Sequence, residues 1–378
     1  MVFTPPLPLA LTSPDLGYSG AFSTATSQES VTSKPVDIAI LGVGRWGSHL
    51  LRNFAHHPQA NVVAVVDPCA ERLRVAASEY PRDQVLFTQD WAEAMQLPGL
   101  GGVAIATPAA THYDLIRAAL RQGLHVMAEK PLTLNVAEAL ELCHLATQQQ
   151  RQLVVDHTYL FHPAVRRGKA VISRAGTLRY GYATRTHLGP VRNDVDALWD
   201  LAVHDIAIFN HWLDEVPLQV QAQGKVWLQT RTDAPLANRL SDLVWVKLLY
   251  PSGFQASIHL CWSNPDKQRR LCVVGSEGTL VFDELLPEAP LTLLQGKLAQ
   301  SQQHFSPIDQ QRHVFSLDHA EPLAQLCDHF LKCVQLNQPS TISSGWLGAE
   351  LVQILSALTH SLHQDGQPIN LDLQEARY

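Results

Sequence analysis

The chain has 378 residues, a formal net charge of −7, and 46% hydrophobic against 17% charged residues. That length suffices for two domains with sizeable cores. The acidic balance, with no basic stripe interleaved with aromatics, argues against a general nucleic-acid binder, and no apolar run approaches the ~20 residues of a membrane span.

Six scattered cysteines with no C-x-x-C pair fit reduced thiols in a cytoplasmic protein. The 18 histidines show no H-E-x-x-H or comparable spacing, so no metal is expected. Residues 1–34 are rich in Ser, Thr and Pro and aperiodic, and lack the basic start of a secretory signal. They read as a flexible tail without a catalytic role.

From Val36 short apolar runs alternate with helical stretches, which predicts a doubly wound parallel sheet over 35–156. Ile38–Leu41 reads as a strand buried on both faces. It breaks into Gly42-Val43-Gly44-Arg45-Trp46-Gly47, then into a helix with Trp46, Leu50, Leu51 and Phe54 on one side. A second strand, Asn61–Val66, ends at Asp67. In this setting Gly42 permits a tight turn, Gly44 a close approach of backbone to pyrophosphate, and Gly47 close helix–strand packing. The helix N-terminus supplies N–H groups and dipole to the anion. Arg45 and Trp46 lie within this candidate cofactor loop. Asp67 suits the ribose hydroxyls of NAD and repels the 2′-phosphate of NADP, and Pro68-Cys69 bring no cation, although Arg72 and Arg74 follow on a helix within reach. NAD is favoured over NADP.

Further on, helices are expected over Glu71–Tyr80, Thr111–Gln122 (Gly123 as its C-cap) and Leu134–Gln150, and strands over Val85–Phe87, Gly102–Ala106, His125–Ala128 and Gln152–Asp156. The strand-end residues Thr107, Pro108, Glu129 and Lys130 then face the cofactor. Lys130 has two open readings, a group held at the nicotinamide or a surface lysine in a strand-to-helix loop. Beyond His157 a helix over Pro163–Ser173 and a strand over Thr177–Leu188 lead to a helix over Ala197–Leu213. Five β-like segments follow between Gln219 and Phe282, and 285–322 reads as irregular before two closing helices, Leu323–Val334 and Gly345–His363. The turns Pro251-Ser252-Gly253 and Ser276-Glu277-Gly278 predict hairpins. The result is a second, α+β domain over 157–378 with a large, mostly antiparallel sheet. In Trp199-Asp200-Leu201-Ala202-Val203-His204-Asp205-Ile206, Asp200 and His204 are four apart and share a helix face. Asp200 either orients His204 as a base, with an imidazole pKa above ~6.5, or the aspartates favour a helix start and His204 is a core histidine.

The Gly42–Gly47 loop, I-A-T-P-A-A-T-H (Ile105–His112), A-E-K-P-L (Ala128–Leu132) and W-D-L-A-V-H-D-I (Trp199–Ile206) occur in the order that resembles the Gfo/Idh/MocA oxidoreductases. The resemblance covers about 36–360. It implies a Rossmann domain followed by an α+β domain whose open sheet assembles a homodimer or homotetramer. It also places Lys130, Asp200 and His204 as catalytic lysine, aspartate and histidine, with His112 at the cofactor site. G-R-W-G-S-H-L-L-R-N-F (Gly44–Phe54), H-T-Y-L-F-H-P-A-V-R (His157–Arg166) and R-T-H-L-G (Arg185–Gly189) are similar to the branch acting on nucleotide-linked amino sugars. Arg45 and His49 depart from the residues frequent there. The resemblance implies NAD-dependent hydride transfer at a sugar-type carbinol, possible nucleotide-linked substrates, and Arg166 and Arg185 as substrate contacts. Reduction of an imine or tetrapyrrole, or a non-catalytic NAD-binding sensor, are the alternatives, and the intact Lys130/Asp200/His204 set argues against both.

Overall fold

The computed structural model describes residues 34–80, 84–228 and 240–372; the expected tail lies outside them except for Lys34. Six strands, β1 (Val36–Leu41), β2 (Ala60–Val66), β3 (Leu86–Thr88), β4 (Gly102–Ile105), β5 (His125–Ala128) and β6 (Leu153–Val155), form an all-parallel sheet in the order β3-β2-β1-β4-β5-β6. Between them run α1 (Arg45–His56), α2 (Ala70–Glu79), α3 (Trp91–Met95), α4 (His112–Arg121) and α5 (Val136–Gln148). Residues 38–41, 103–105, 126–128 and 153–155 are apolar and buried because helices cover both faces, while the edge strand β3 is half-buried. Asp90 caps α3 by accepting from Ala92 N at 2.8 Å, and Asn135 caps α5 through Glu138 N. Strand order reverses between β1 and β4, which opens a crevice at their carboxyl ends.

The remaining elements are α6 (Pro163–Val171), β7 (Leu178–Leu188), α7 (Val203–Leu213), β8 (Gln219–Lys225), β9 (Leu243–Leu249), β10 (Gln255–Cys261), β11 (Ser263–Gly275), β12 (Gly278–Asp283), β13 (Leu291–Ser301), β14 (His304–Val314), α8 (Pro322–Leu336), α9 (Gly345–His363) and β15 (Ile369–Asn370). Their strands form a nine-stranded sheet, β14-β13-β12-β11-β7-β10-β9-β8-β15, antiparallel except for β7 beside β10. Both expected hairpins are present, β9–β10 and β11–β12. Along β9 the alternation is strict. Val244, Val246 and Leu248 are buried, while Trp245 and Lys247 face outward.

The stretch expected to be irregular is instead the β13–β14 hairpin. Almost all of β14 is exposed, so no apolar/polar alternation marks it, and its turn at Gln302 (φ 56°) has no glycine. The closing helices turn back to the parallel sheet. Phe330 of α8 meets Phe54 of α1 edge-on at 6.2 Å. Gly345 and Gly348 of α9 lie against Leu153 and Val155, where a Cβ would stand 2.7 Å from either side chain. Ser343 Oγ donates to Val155 O at 2.7 Å, and Val155 N to Ser343 O at 3.0 Å.

Candidate active site

The glycine-rich loop is built as a cradle. Gly42 has φ +87°, and a Cβ on it would fall 2.7 Å from Ala106 O; one on Gly47 would fall 1.9 Å from Gly42 O. Gly44 is different, with nothing nearer to such a Cβ than the Arg72 guanidinium at 3.9 Å, so space lies open above it. Gly44 also begins α1 with no side-chain cap and no acid in the first turn, leaving N–H groups for an anion. These features fit the pyrophosphate of a dinucleotide. Arg45 and Trp46 are exposed at the loop. Trp46, 43% exposed, does not join the buried stripe of Gly47, Leu50, Leu51 and Phe54, and turns its ring edge to His49 instead.

Asp67 is buried at the end of β2 and fastens the loop. Its Oδ2 accepts from Val43 N and its Oδ1 from Cys69 N, both at 2.9 Å. Each oxygen keeps a lone pair for a ribose hydroxyl. Arg72 does reach it, at 3.6 Å, while Arg74 is held by Glu71. Thr107 Oγ1 accepts from Thr111 Oγ1 at 2.7 Å, and Pro108 is exposed beside it. His112 is a brace and not a ligand contact, because it is buried with its nitrogens 2.9 Å from Pro131 O and 3.0 Å from Thr107 O. Burial lowers its pKa while the two carbonyls, which only accept, work to raise it, and a neutral ring donates to one of them alone.

Lys130 is only 9% exposed and so is not a surface lysine. Its Nζ donates to Asp200 O at 2.7 Å and Asp200 Oδ1 at 3.2 Å. Asp200 lies in a π-helical turn, Leu198–Ala202, that leads into α7, a distortion common at functional sites. The turn is held at its start by Asp196, whose Oδ1 accepts from Trp199 N at 3.0 Å. Burial works to raise the Asp200 carboxyl, but Lys130 and Arg192 outweigh it and hold it below its usual value. Arg192 Nη1 is 3.4 Å from Asp200 Oδ1 and the same guanidinium grips Asp194.

His204 stands one turn on. The expected bond from Asp200 is absent among the described residues, because the two cations draw that carboxylate away and His204 Nδ1 is buried without a partner. Its pKa moves opposite to expectation. Burial first, then Lys130 and Arg185, push it well below the ordinary imidazole value. His204 is therefore a neutral ring. The Tyr159 ring lies 4.8 Å from it, and burial lifts that phenol to about 12.

Arg185 and Arg166 are not placed as substrate contacts. Arg185 is fully buried and forms a fork with Asp205 (3.0 and 2.8 Å), donates to Tyr159 OH at 2.8 Å and lies over the Tyr159 ring. Arg166 is exposed on α6, where it acts on His211 and His329. Sequence reading gave no individual role to Tyr159, Glu284, Arg269 and His187. Tyr159 lies against His204, Glu284 acts on Tyr159, Arg269 neighbours Arg185 and Tyr159, and His187 is within the influence of Asp200. Tyr159 OH donates to Glu284, and Arg269 Nη2 lies 3.3 Å from His187 Nδ1. The basic run Lys267-Gln268-Arg269-Arg270 on β11 was the available signal for Arg269. Among the described residues no cluster of three or more His, Cys, Asp or Glu is arranged for a metal, and no helix is long and apolar enough to cross a membrane.

Residues 36–157 match the model for the oxidoreductase family with NAD-binding Rossmann fold, and 169–281 the Gfo/Idh/MocA C-terminal domain. The chain belongs to the Gfo/Idh/MocA oxidoreductases and is an NAD-dependent enzyme of that family. It is 26% identical over 354 residues to scyllo-inositol 2-dehydrogenase (NAD(+)) of Bacillus subtilis strain 168, covering 90% of this chain and 98% of that protein. It is 27% identical over 206 residues to UDP-N-acetylglucosamine 3-dehydrogenase of Acidithiobacillus ferrooxidans, covering 52% and 61%. Among solved structures, an inositol dehydrogenase homolog from Azotobacter vinelandii, complexed with NADH and myo-inositol, shares the fold with a TM-score of 0.73 at 20% identity, over 90% and 98% of the two chains.

Proposed function

We propose that this enzyme oxidises a secondary alcohol on a sugar or cyclitol ring, or reduces the matching ketone, with Lys130, Asp200 and His204 as its catalytic residues. The observation that carries the reading is the ion pair of Lys130 with Asp200 beside a neutral, buried His204, in the crevice that the glycine-rich loop borders. NAD would supply the hydride acceptor; Gly44, in the turn that Gly42 and Gly47 make possible, would hold its phosphates, Asp67 its ribose, and Thr107, Pro108 and Glu129 would lie on the nicotinamide side. His204 removes the hydroxyl proton, and Lys130, held in place by Asp200, donates a hydrogen bond to the oxygen as it becomes carbonyl. Ring alcohols are the substrates named for relatives. With Arg185 consumed by Asp205 and Arg166 on the outer surface, an uncharged ring suits the pocket better than a nucleotide-linked one. The exposed face of the nine-stranded sheet joins copies as a dimer or tetramer. The test is a screen following NADH absorbance over inositols, free sugars and UDP-sugars. Turnover of a free ring alcohol, lost in Lys130→Met and reduced about 10²–10⁴-fold in His204→Asn, supports the reading; activity on UDP-sugars alone would sink the uncharged-substrate part.

A further inference from the structure

Five of the buried side-chain polar atoms left without a hydrogen-bond partner among the described residues belong to four neighbouring groups: Glu129 Oε1, Asp156 Oδ2, both ring nitrogens of His157, and His204 Nδ1. An unpaired buried polar atom costs about 1–3 kcal/mol, so packed cores seldom gather them. The strand pairing explains the carboxyls. β5 and β6 run in register with Ala128 beside Val155, and Asp156 N donates to Ala128 O at 2.7 Å. The next residue on each strand therefore brings a carboxyl to the same spot. Glu129 Oε2 accepts from Lys130 N at 3.3 Å and Asp156 Oδ1 from Thr158 Oγ1, which leaves each carboxyl one oxygen for the other. Two carboxylates so close in a dry site cannot both ionise. His157 follows directly, 2% exposed.

We propose that Glu129 and Asp156 hold one proton between them, and that this pair, acting through His157, receives the proton His204 takes from the substrate. The proposal rests on the dehydrogenase reading and adds where its proton goes. As the substrate carbon gives up hydride, the electron pair of its O–H bond becomes the second C–O bond and the proton moves to His204. His204 passes it to His157, and His157, directly or across bridging water, to the carboxyl pair. The pair goes from one proton and one negative charge to two protons and none, and returns the extra proton to solvent after the product leaves. The surrounding charges suit this course. Lys130 acts on all four groups, Cys327 of α8 lies near Asp156, and Arg185 and Arg269 act on His204. Burial pushes His157 down to about 3 and His204 well below its usual value. Burial raises both carboxyls, Glu129 the further, so Glu129 keeps the resident proton and Asp156, itself raised, is the carboxyl left to take the second.

Two measurements test this. Infrared difference spectra of the full chain without cofactor, at pH 7 in H2O and D2O, should show a protonated-carboxyl band that vanishes in the Glu129→Gln/Asp156→Asn double variant. Its absence from the wild type, where no variant need fold, overturns the shared proton. In turnover with the ring alcohol, His157→Gln should lower kcat about tenfold or more, leave KM unchanged and enlarge the solvent isotope effect. A raised KM with unchanged kcat and isotope effect would make His157 a binding group and overturn the relay. Because the infrared reading uses no substrate, its failure is distinct from failure of the dehydrogenase reading, which would appear as no NADH from any ring alcohol and would remove the relay with it.

Discussion

At the scale of single residues, two side chains do work that their sequence positions did not announce. Asp67 was legible as the acid closing β2, and it also holds the glycine loop through Val43 N. Burying a 2′-phosphate beside it should cost more than ~1.4 kcal/mol, so NAD(H) should bind at least ten times tighter than NADP(H). Calorimetric titration with both cofactors decides this, and equal affinities would mean that Arg72, 3.6 Å from the carboxylate, neutralises it. Arg185 was legible only as a cation in a strand. Its partner Asp205 lies 20 residues on, and nothing in local spacing pairs a strand position with a helix position across the fold. Arg185→Ala leaves Asp205 buried and uncompensated, and should cost about 3–5 kcal/mol of stability. Guanidinium unfolding would show it; unchanged stability with a raised substrate KM would return Arg185 to the role its sequence suggested. The same limit explains Asp200 and His204. Spacing brought them together on one helix, but only the fold brings Lys130 and Arg192 to claim the carboxylate.

At the scale of elements, periodicity was a good guide wherever one face is buried and the other wet. The strand β9 and the helix α9 were readable for that reason, α9 to both of its ends. β13 and β14 were not, because most of that hairpin faces solvent on both sides and offers no contrast. Its exposed Leu294 and Val314 share, by strand register, an outward face with Tyr180, Tyr182 and Trp245, the last stacked on His259 at 4.1 Å. So much exposed aromatic surface on one sheet calls for a cover, and the cover proposed above is a second copy, which symmetry allows. Light scattering at micromolar concentration should give a dimer or tetramer, and Tyr182→Glu with Trp245→Glu should give the 41.8 kDa monomer. A wild-type protein already at that mass would refute the sheet as an interface.

At the scale of the whole molecule, buried imidazoles set how stability responds to acid. Folded His157 refuses a proton until about pH 3, whereas the unfolded chain accepts one near ~6.5. Its share of stability is therefore complete above ~6.5 and declines as pH falls, by about 1.4 kcal/mol per pH unit. His157→Gln should remove that slope between pH 6.5 and 4.5, and parallel pH dependences for the two proteins in denaturant unfolding would contradict it. The closing helices have a consequence of another kind, for the order in which the protein comes into being. β6 gains its hydrogen bonds to Ser343 only from chain made 188 residues later, and α1 its neighbour Phe330 across a longer separation still. On the ribosome the first sheet must wait, complete in sequence but missing a wall, until about the last seventh of the polypeptide emerges. A fragment ending at Asp156 should accordingly be protease-sensitive and poorly soluble, and adding residues 318–372 in trans should protect it. A compact, resistant fragment would show that the wall is dispensable.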